Sequence, residues 1–314
     1  MGIYRLGEII RMTRKSLSIT QEKLSEGICS LETLSRMETG KQNPNKDTYE
    51  LLMLRMGRIG ERAYSMLSIT DLKVLDKIQL FNDCIQLYDY NQAEIELKEL
   101  EGILGNSRLD KQFLHRAKSI INYYLYGTSV EEFLEGLQKA IRLTIPKYGE
   151  ISLCNWILSN NEIVLLLNIS MAYADKSDYD KAIETLEEMN NAIDKSFIEE
   201  QQKAIVQSAN LYHLARWYGL IMNHEKAIEI AKEGIAKCKK NRLGNVLANH
   251  LYCIAWNIEQ LMDKGLLSMD HKEECLKYLR EAYFIASVMQ QTFIIQFLEE
   301  HMEERYALTD LFLY

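Results

Sequence analysis

The chain has 314 residues, too many for one compact core and enough for a small domain plus a larger one. With 47% apolar and 26% charged residues and only two prolines, it reads as folded and helical, which excludes a disordered or low-complexity chain. The net charge of −8 excludes a uniformly basic protein, but residues 1–65 carry 11 Lys and Arg against 8 Asp and Glu, and the remainder 26 against 37, so contact with phosphate is expected at the head alone.

The first expected element is a helix over residues 3–17, where Leu6, Ile9, Ile10 and Leu17 share a face with Thr13 between them. The stretch "LSITQEKLSEG" (17–27) offers Ser18 or Thr20 as an N-cap, Gln21 in the first turn and Leu24 on the inner face, and Gly27 ends this second helix. Ser30 caps the third, "LETLSRME", with Leu34 and Met37 turned inward; Gly40 stands where a left-handed C-cap is needed, and Pro44 stops any continuation. Asn45 or Asp47 caps the fourth, "TYELLMLRM" (48–56). Short helices with a tight turn between the second and third describe a helix-turn-helix.

In detail, "TQEKLSEG…S-x-x-T-L-S-R-M-E-x-G-K-x-x-P" resembles the repressor-type (XRE/Cro–cI) helix-turn-helix over residues 5–58. The compact "GICS" turn, one residue shorter than in phage repressors, is similar to the heads of the Rgg/PlcR-type (RRNPP) peptide-sensing regulators of Gram-positive bacteria. The resemblance implies double-stranded DNA as a partner. Gln21 would bind a phosphate or buttress the reading helix. Ser30, Leu31, Glu32, Thr33 and Arg36 would face the major groove, and Lys41, Gln42 and Asn43 would grip the backbone through side chains and amides. Arg14 and Glu38 match an internal ion pair that positions helices and carries no reading role. Arg36 can fork onto a guanine edge or reach phosphate. Glu32 can accept from a cytosine amino group or sit as an acid at a helix N-terminus. Thr33 and Leu31 can touch a thymine methyl.

From about residue 70 the pattern becomes repeating helix pairs. "NISMAYADKSDYDKAIETLEEM" (168–189) resembles a tetratricopeptide repeat, with Asp178 and Tyr179 in the turn and Ala182 as the small contact residue. "HLARWYGLIMNHEKAIEIAKEGI" (213–235) repeats it, Ala227 standing for Ala182. A third copy at 253–283 carries an insertion at "DKGLLSM", and weaker copies fit 75–105 and 114–144. Residues 290–306 read as a capping helix. "Ser159-Asn-Asn-Glu162" is a capping box without assigned chemistry. The expected fold is all-α: a helix-turn-helix domain over residues 1–66 and a helical-repeat solenoid of about five pairs over 67–314.

In such a solenoid the first helix of each pair lines the concave side. Counting from Ala182 and Ala227 places Asn168 and Met171 there, then Tyr212, His213 and Arg216, then Asn249, Tyr252 and Trp256, with Asn82 and Asn122 earlier. Amides pair with a peptide backbone, aromatics add apolar contact, and Arg216 suits a carboxylate. Asn168 and His213 have a second reading as helix-packing residues, and Trp256, Tyr212 and Trp217 a second reading as core residues.

No catalytic, nucleotide or metal motif occurs, so no catalytic residue, cofactor or metal is expected. The six cysteines form no C-x-x-C pair and fit reduced, structural thiols. The longest apolar run, "EIVLLLNIS" (162–170), is too short for a membrane span. The start lacks a signal-peptide core, and its Met-Gly does not fit myristoylation, because residue 6 is Leu. The resemblance implies a cytoplasmic homodimer that binds a two-fold operator under control of a short signalling peptide. The alternative is a repeat domain that binds a protein partner.

Overall fold

The computed structural model describes residues 6–58, 69–153, 156–196, 200–244 and 246–308. The described residues hold fifteen α-helices, one short 3-10 helix and no strand beyond an isolated bridge between Tyr148 and Ile151, so the chain is all-α. They divide into two compact units, residues 1–199 and 200–314. The boundary expected at 66/67 lies outside the described residues.

The first unit opens with α1 (Leu6–Ser16), α2 (Gln21–Ser25), α3 (Leu31–Glu38) and α4 (Lys46–Arg55). The starts of α2, α3 and α4 have a local cause: the side chains of Thr20, Ser30 and Asn45 accept the N–H of Lys23, Thr33 and Thr48. Ile10, Leu24, Leu34, Met37 and Leu52 form the small core. Two glycines permit close approach. A Cβ on Gly7 would lie 1.8 Å from the Met37 carbonyl oxygen, so α1 and α3 touch through backbone. Gly27, at φ +73°, has the Thr144 carbonyl where its Cβ would be, at 2.6 Å.

The same unit continues with α5 (Ile69–Gln86) and α6 (Tyr90–Ile103), α7 (Arg108–Tyr124) and α8 (Val130–Arg142), then α9 (Asn160–Asp175) and α10 (Tyr179–Ile193). Ser107, Ser129 and Ser159 start α7, α8 and α9 with full capping boxes. Ala182 is fully buried, and its carbonyl accepts the Ser170 hydroxyl at 2.9 Å.

The second unit holds α11 (Glu200–Leu220), α12 (His224–Asn241), α13 (Leu247–Asp263), a 3-10 turn at Met269–His271 that begins at the last residue of the expected insertion, α14 (Lys272–Val288) and α15 (Thr292–Tyr306). Buried Glu259 on α13 holds α15 by accepting from His301 Nε2 at 3.1 Å and from the Tyr306 hydroxyl. One turn design recurs in both units. A left-handed residue (Tyr88, Ser177, Met222, Gln290) precedes the residue that starts the next helix. The N–H of that second residue returns to a carbonyl five residues earlier, as in Asp89 to Cys84 and Asp178 to Tyr173.

Candidate nucleic-acid interface and groove residues

On α3 the buried side chains seat the helix. Arg14 forks onto Glu38, with Nε to Oε1 at 2.6 Å and Nη2 to Oε2 at 2.7 Å, and its Nη1 donates to the Ile19 carbonyl. Gln21 Nε2 donates to Glu38 Oε2 at 2.8 Å, so this amide buttresses the reading helix. The Ser30 hydroxyl accepts the Thr33 N–H at 3.1 Å and lies 2.8 Å from the Thr33 hydroxyl, which ties both polar tips to the cap. The Thr33 methyl remains for apolar contact.

Leu31, Glu32 and Arg36 are exposed along the outer face. Arg36 and Glu32 enter no ion pair among the described residues. The N–H groups of Lys41 and Gln42 both return to the Arg36 carbonyl, at 2.9 and 3.2 Å. Those amides are therefore consumed by the C-cap, which leaves the side chains of Lys41 and Gln42, together with Asn43, to meet a phosphate. A shallow cleft of about 340 Å³ is walled by Arg11, Arg14, Lys15, Gln21 and Thr39 together with the carboxylates Glu22 and Glu38. Arg11 and Lys15 were not singled out in the sequence. Their spacing on the exposed side of α1, around buried Arg14, was the available signal.

The head docks onto the repeats of its own unit. Arg108 N–H and Nε donate to Asp47 at 2.7 and 2.9 Å, and its Nη atoms donate to the carbonyls of Gly27 and Ile28 in the turn before α3. Arg55, 3% exposed, faces Glu162 at 3.6 Å, donates to the Leu24 and Glu26 carbonyls and lies 5.3 Å from the Trp156 ring centroid. Glu162 thus does more than close the Ser159 capping box: it is the counter-ion of a buried guanidinium.

Among groove candidates of the first unit, Asn82 accepts from Arg116 at 2.6 Å, and Asn122 is exposed. Asn168 and Met171 lie half-buried, one turn apart on α9. The Asn168 Oδ1 is buried without a hydrogen-bond partner among the described residues. The structure shows no hydrogen bond joining Asn82, Asn122 and Asn168 to one another.

In the second unit, Asn249, Tyr252 and Trp256 form one half-buried stripe on α13, backed by buried Leu251, Ile254 and Ala255. On α11, Tyr212 and His213 are half-buried and Arg216 is exposed, its guanidinium 5.1 Å from the ring centroid of buried Trp217. Tyr212 lies edge-on to buried His250 of α13, ring centroids 6.0 Å apart. Burial lowers the His213 pKa to about 3, with Arg216 and His250 adding repulsion, and its Nδ1 has no partner among the described residues. Burial lowers His250 to about 4, although its Nε2–H donates to the Ser208 carbonyl at 3.1 Å. Tyr252 packs edge-on against Phe297 of α15 at 4.9 Å. Phe297 extends the stripe and was missed, because 290–306 was read only as a cap; Phe293, Phe297 and His301 at helical spacing were the signal.

Among the described residues, no group of three His, Cys, Asp or Glu side chains converges to hold a metal, and no helix is long and apolar enough to cross a membrane.

Residues 10–58 match the helix-turn-helix family model, so the head is a DNA-binding domain of the XRE-type helix-turn-helix class. No curated protein sequence matches the chain. Among solved structures, PlcR of Bacillus thuringiensis in complex with the peptide PapR7 and DNA is similar over 94% of this chain and 99% of that chain, at 17% identity and a TM-score of 0.61. The apo form of the same PlcR is similar over 94% and 98%, at 14% identity and a TM-score of 0.58. At these identities the likeness establishes a shared fold.

Proposed function

We propose that this chain is a cytoplasmic transcription regulator and not an enzyme, and that a short peptide bound by its repeat body controls its operator binding. On this reading α3 enters the major groove, with Arg36 the principal base reader and Thr33, Leu31 and Glu32 completing the surface. Ser30 shapes the end of that helix. Lys41, Gln42 and Asn43, joined by Arg11 and Lys15, hold phosphates and carry most of the affinity. Two copies act as a homodimer on a two-fold site. PlcR, which shares the fold, has been seen with both a peptide and DNA, and this supports the reading.

One observation carries the peptide half: the unsatisfied, buried Oδ1 of Asn168, at a position where a groove amide is expected. A buried polar atom is costly unless a partner arrives, and a peptide N–H is a fitting partner. Within the first unit the other proposed contacts are Met171, Asn122 and Asn82; within the second, Tyr212, His213, Arg216, Asn249, Tyr252 and Trp256 are a proposed set of peptide contacts of their own. Peptide binding would favour one of two arrangements and so shift DNA affinity by its differential affinity for them.

The test uses full-length protein and genomic fragments selected by binding. Peptides from spent culture medium should change fragment affinity, and Asn168→Ala should abolish that response while leaving basal DNA binding. A normal response in the variant removes Asn168 from the site. The second reading, a protein partner, draws on exposed Phe284, Val288 and Phe293 on α14 and α15. Capture of a folded protein, with no response to any peptide fraction, would favour it.

A further inference from the structure

In the second unit a short chain of hydrogen bonds runs from the surface inward. It starts in the insertion "DKGLLSM", at Lys264, which is exposed just past α13. Lys264 Nζ lies 2.9 Å from Nε2 of His224, the first residue of α12. The other ring nitrogen, Nδ1, lies 2.9 Å from Asn257 Oδ1, and Asn257 Nδ2 donates to the Cys253 carbonyl at 2.7 Å. His224 is 3% exposed and Asn257 is fully buried. Gly219 of α11 makes the room, since a Cβ there would lie 2.7 Å from Asn257 Oδ1.

The direction of each bond follows from what each group can do. An ammonium only donates, so His224 Nε2 accepts from Lys264, and Nδ1 carries the ring proton and donates to Asn257. Asn257 must turn its oxygen to the ring, because the Cys253 carbonyl takes its nitrogen. The imidazole is thus held by one nitrogen and offers its single lone pair to a lysine with the other. Lys98, Lys118 and Lys139 instead meet the carboxylates of Glu94, Glu101 and Glu135. A carboxylate keeps an ammonium charged, and a charged ammonium has no electron pair to attack with. An imidazole can carry the proton away. A nucleophile, a base and a group that orients the base, bonded in series, is the arrangement that activates a side chain for acyl transfer.

We propose that Lys264 is a modification site that takes an acyl group from a small activated donor, an acyl phosphate or an acyl thioester, with His224 as its base. Nζ passes one proton to His224 Nε2, and the freed electron pair attacks the acyl carbon to form a C–N bond. The C–O bond of the phosphate donor, or the C–S bond of the thioester, breaks, and phosphate or thiolate leaves with its electron pair. The leaving group takes the second Nζ proton, and His224 returns its own to water. The product is a neutral amide whose N–H can still donate to Nε2, so acylation removes the charge at the end of α13 and keeps the contact.

Full-length protein is incubated with acetyl phosphate or with acetyl-coenzyme A, and the acetylation of every lysine is followed in time by mass spectrometry. With at least one donor, Lys264 should react about tenfold faster than the exposed Lys232, Lys239 and Lys240 of the same unit. His224→Gln, which can accept a hydrogen bond but takes up no proton, should bring Lys264 down to their rate and leave theirs unchanged. Denaturing urea should abolish the excess in the wild type. A Lys264 rate no greater than the others with both donors overturns the site, as does an excess that survives His224→Gln or persists in urea. The wild-type rates and the urea comparison need no variant, so they decide the matter even if His224→Gln fails to fold.

Discussion

Along α3, what each side chain already bonds separates readers from supports. Ser30 and Thr33 are tied to each other, Glu38 holds Arg14 and Gln21, and Arg36 projects free. Replacing Arg36 by Ala should therefore cost about 1–3 kcal/mol on the operator and little on scrambled DNA. Replacing Lys41 by Ala should weaken both alike and reduce the salt slope by about one. Anisotropy titrations at several salt concentrations measure this, and identical profiles for the two variants would refute the division. At the same scale, His213 and His250 are held neutral, with pKa values lowered to about 3 and about 4. Below the ordinary histidine pKa of about 6.5, the unfolded chain binds protons that the folded chain refuses. Their contribution to stability is therefore complete above that pH and is lost as pH falls toward 4 and below. Urea denaturation at stepped pH should show this slope, and the double variant His213→Gln, His250→Gln should be flatter between pH 6.5 and 4.

Among elements, the docking of the head depends on a few long-range polar contacts. Arg55 and Glu162 are each almost fully buried, so removing one charge strands the other. Glu162→Gln keeps a capping acceptor at α9 but discharges the pair, and it should cost about 3–5 kcal/mol of unfolding free energy. The double variant Arg55→Met, Glu162→Gln should recover much of that loss in the same urea titration. If the double variant is as unstable as the single one, packing and not charge governs the contact. Arg108 and Gly27 belong to the same seam. Any side chain at position 27 would push against the Thr144 carbonyl and strain a left-handed backbone, with consequences for the turn that aims α3.

For the whole molecule, a mildly basic head on an acidic body predicts binding confined to one surface and steeply dependent on salt. A homodimer should protect two half-sites about one helical turn apart, roughly 34–36 Å, in a footprint of the selected DNA. Protection of a single half-site at concentrations that saturate binding, or affinity insensitive to salt, would count against the dimeric reading and the phosphate-driven reading respectively. The exposed outer face of α3 and the response to peptide are separable in this scheme, so variants at Arg36 and Asn168 should affect different measurements.

The sequence alone determined the helices, because their signals are local. Thr20, Ser30, Asn45, Ser159 and Asp178 each cap a helix by a bond spanning three residues, and apolar spacing marks each buried face over a few turns. The Arg14–Glu38 pair was legible through a motif, and the stripe of Asn249, Tyr252 and Trp256 through the register of the repeat. Tertiary structure alone decided which groups meet across long stretches of chain. Arg108 finds Asp47 from 61 residues away, and Glu162 adds the charge of Arg55 to its local capping role. It also decided what stays unmet: the oxygen of Asn168 looks ordinary in the sequence. It becomes exceptional only when the fold removes water without supplying a partner, because the cost of a buried polar group depends on its surroundings and not on its identity.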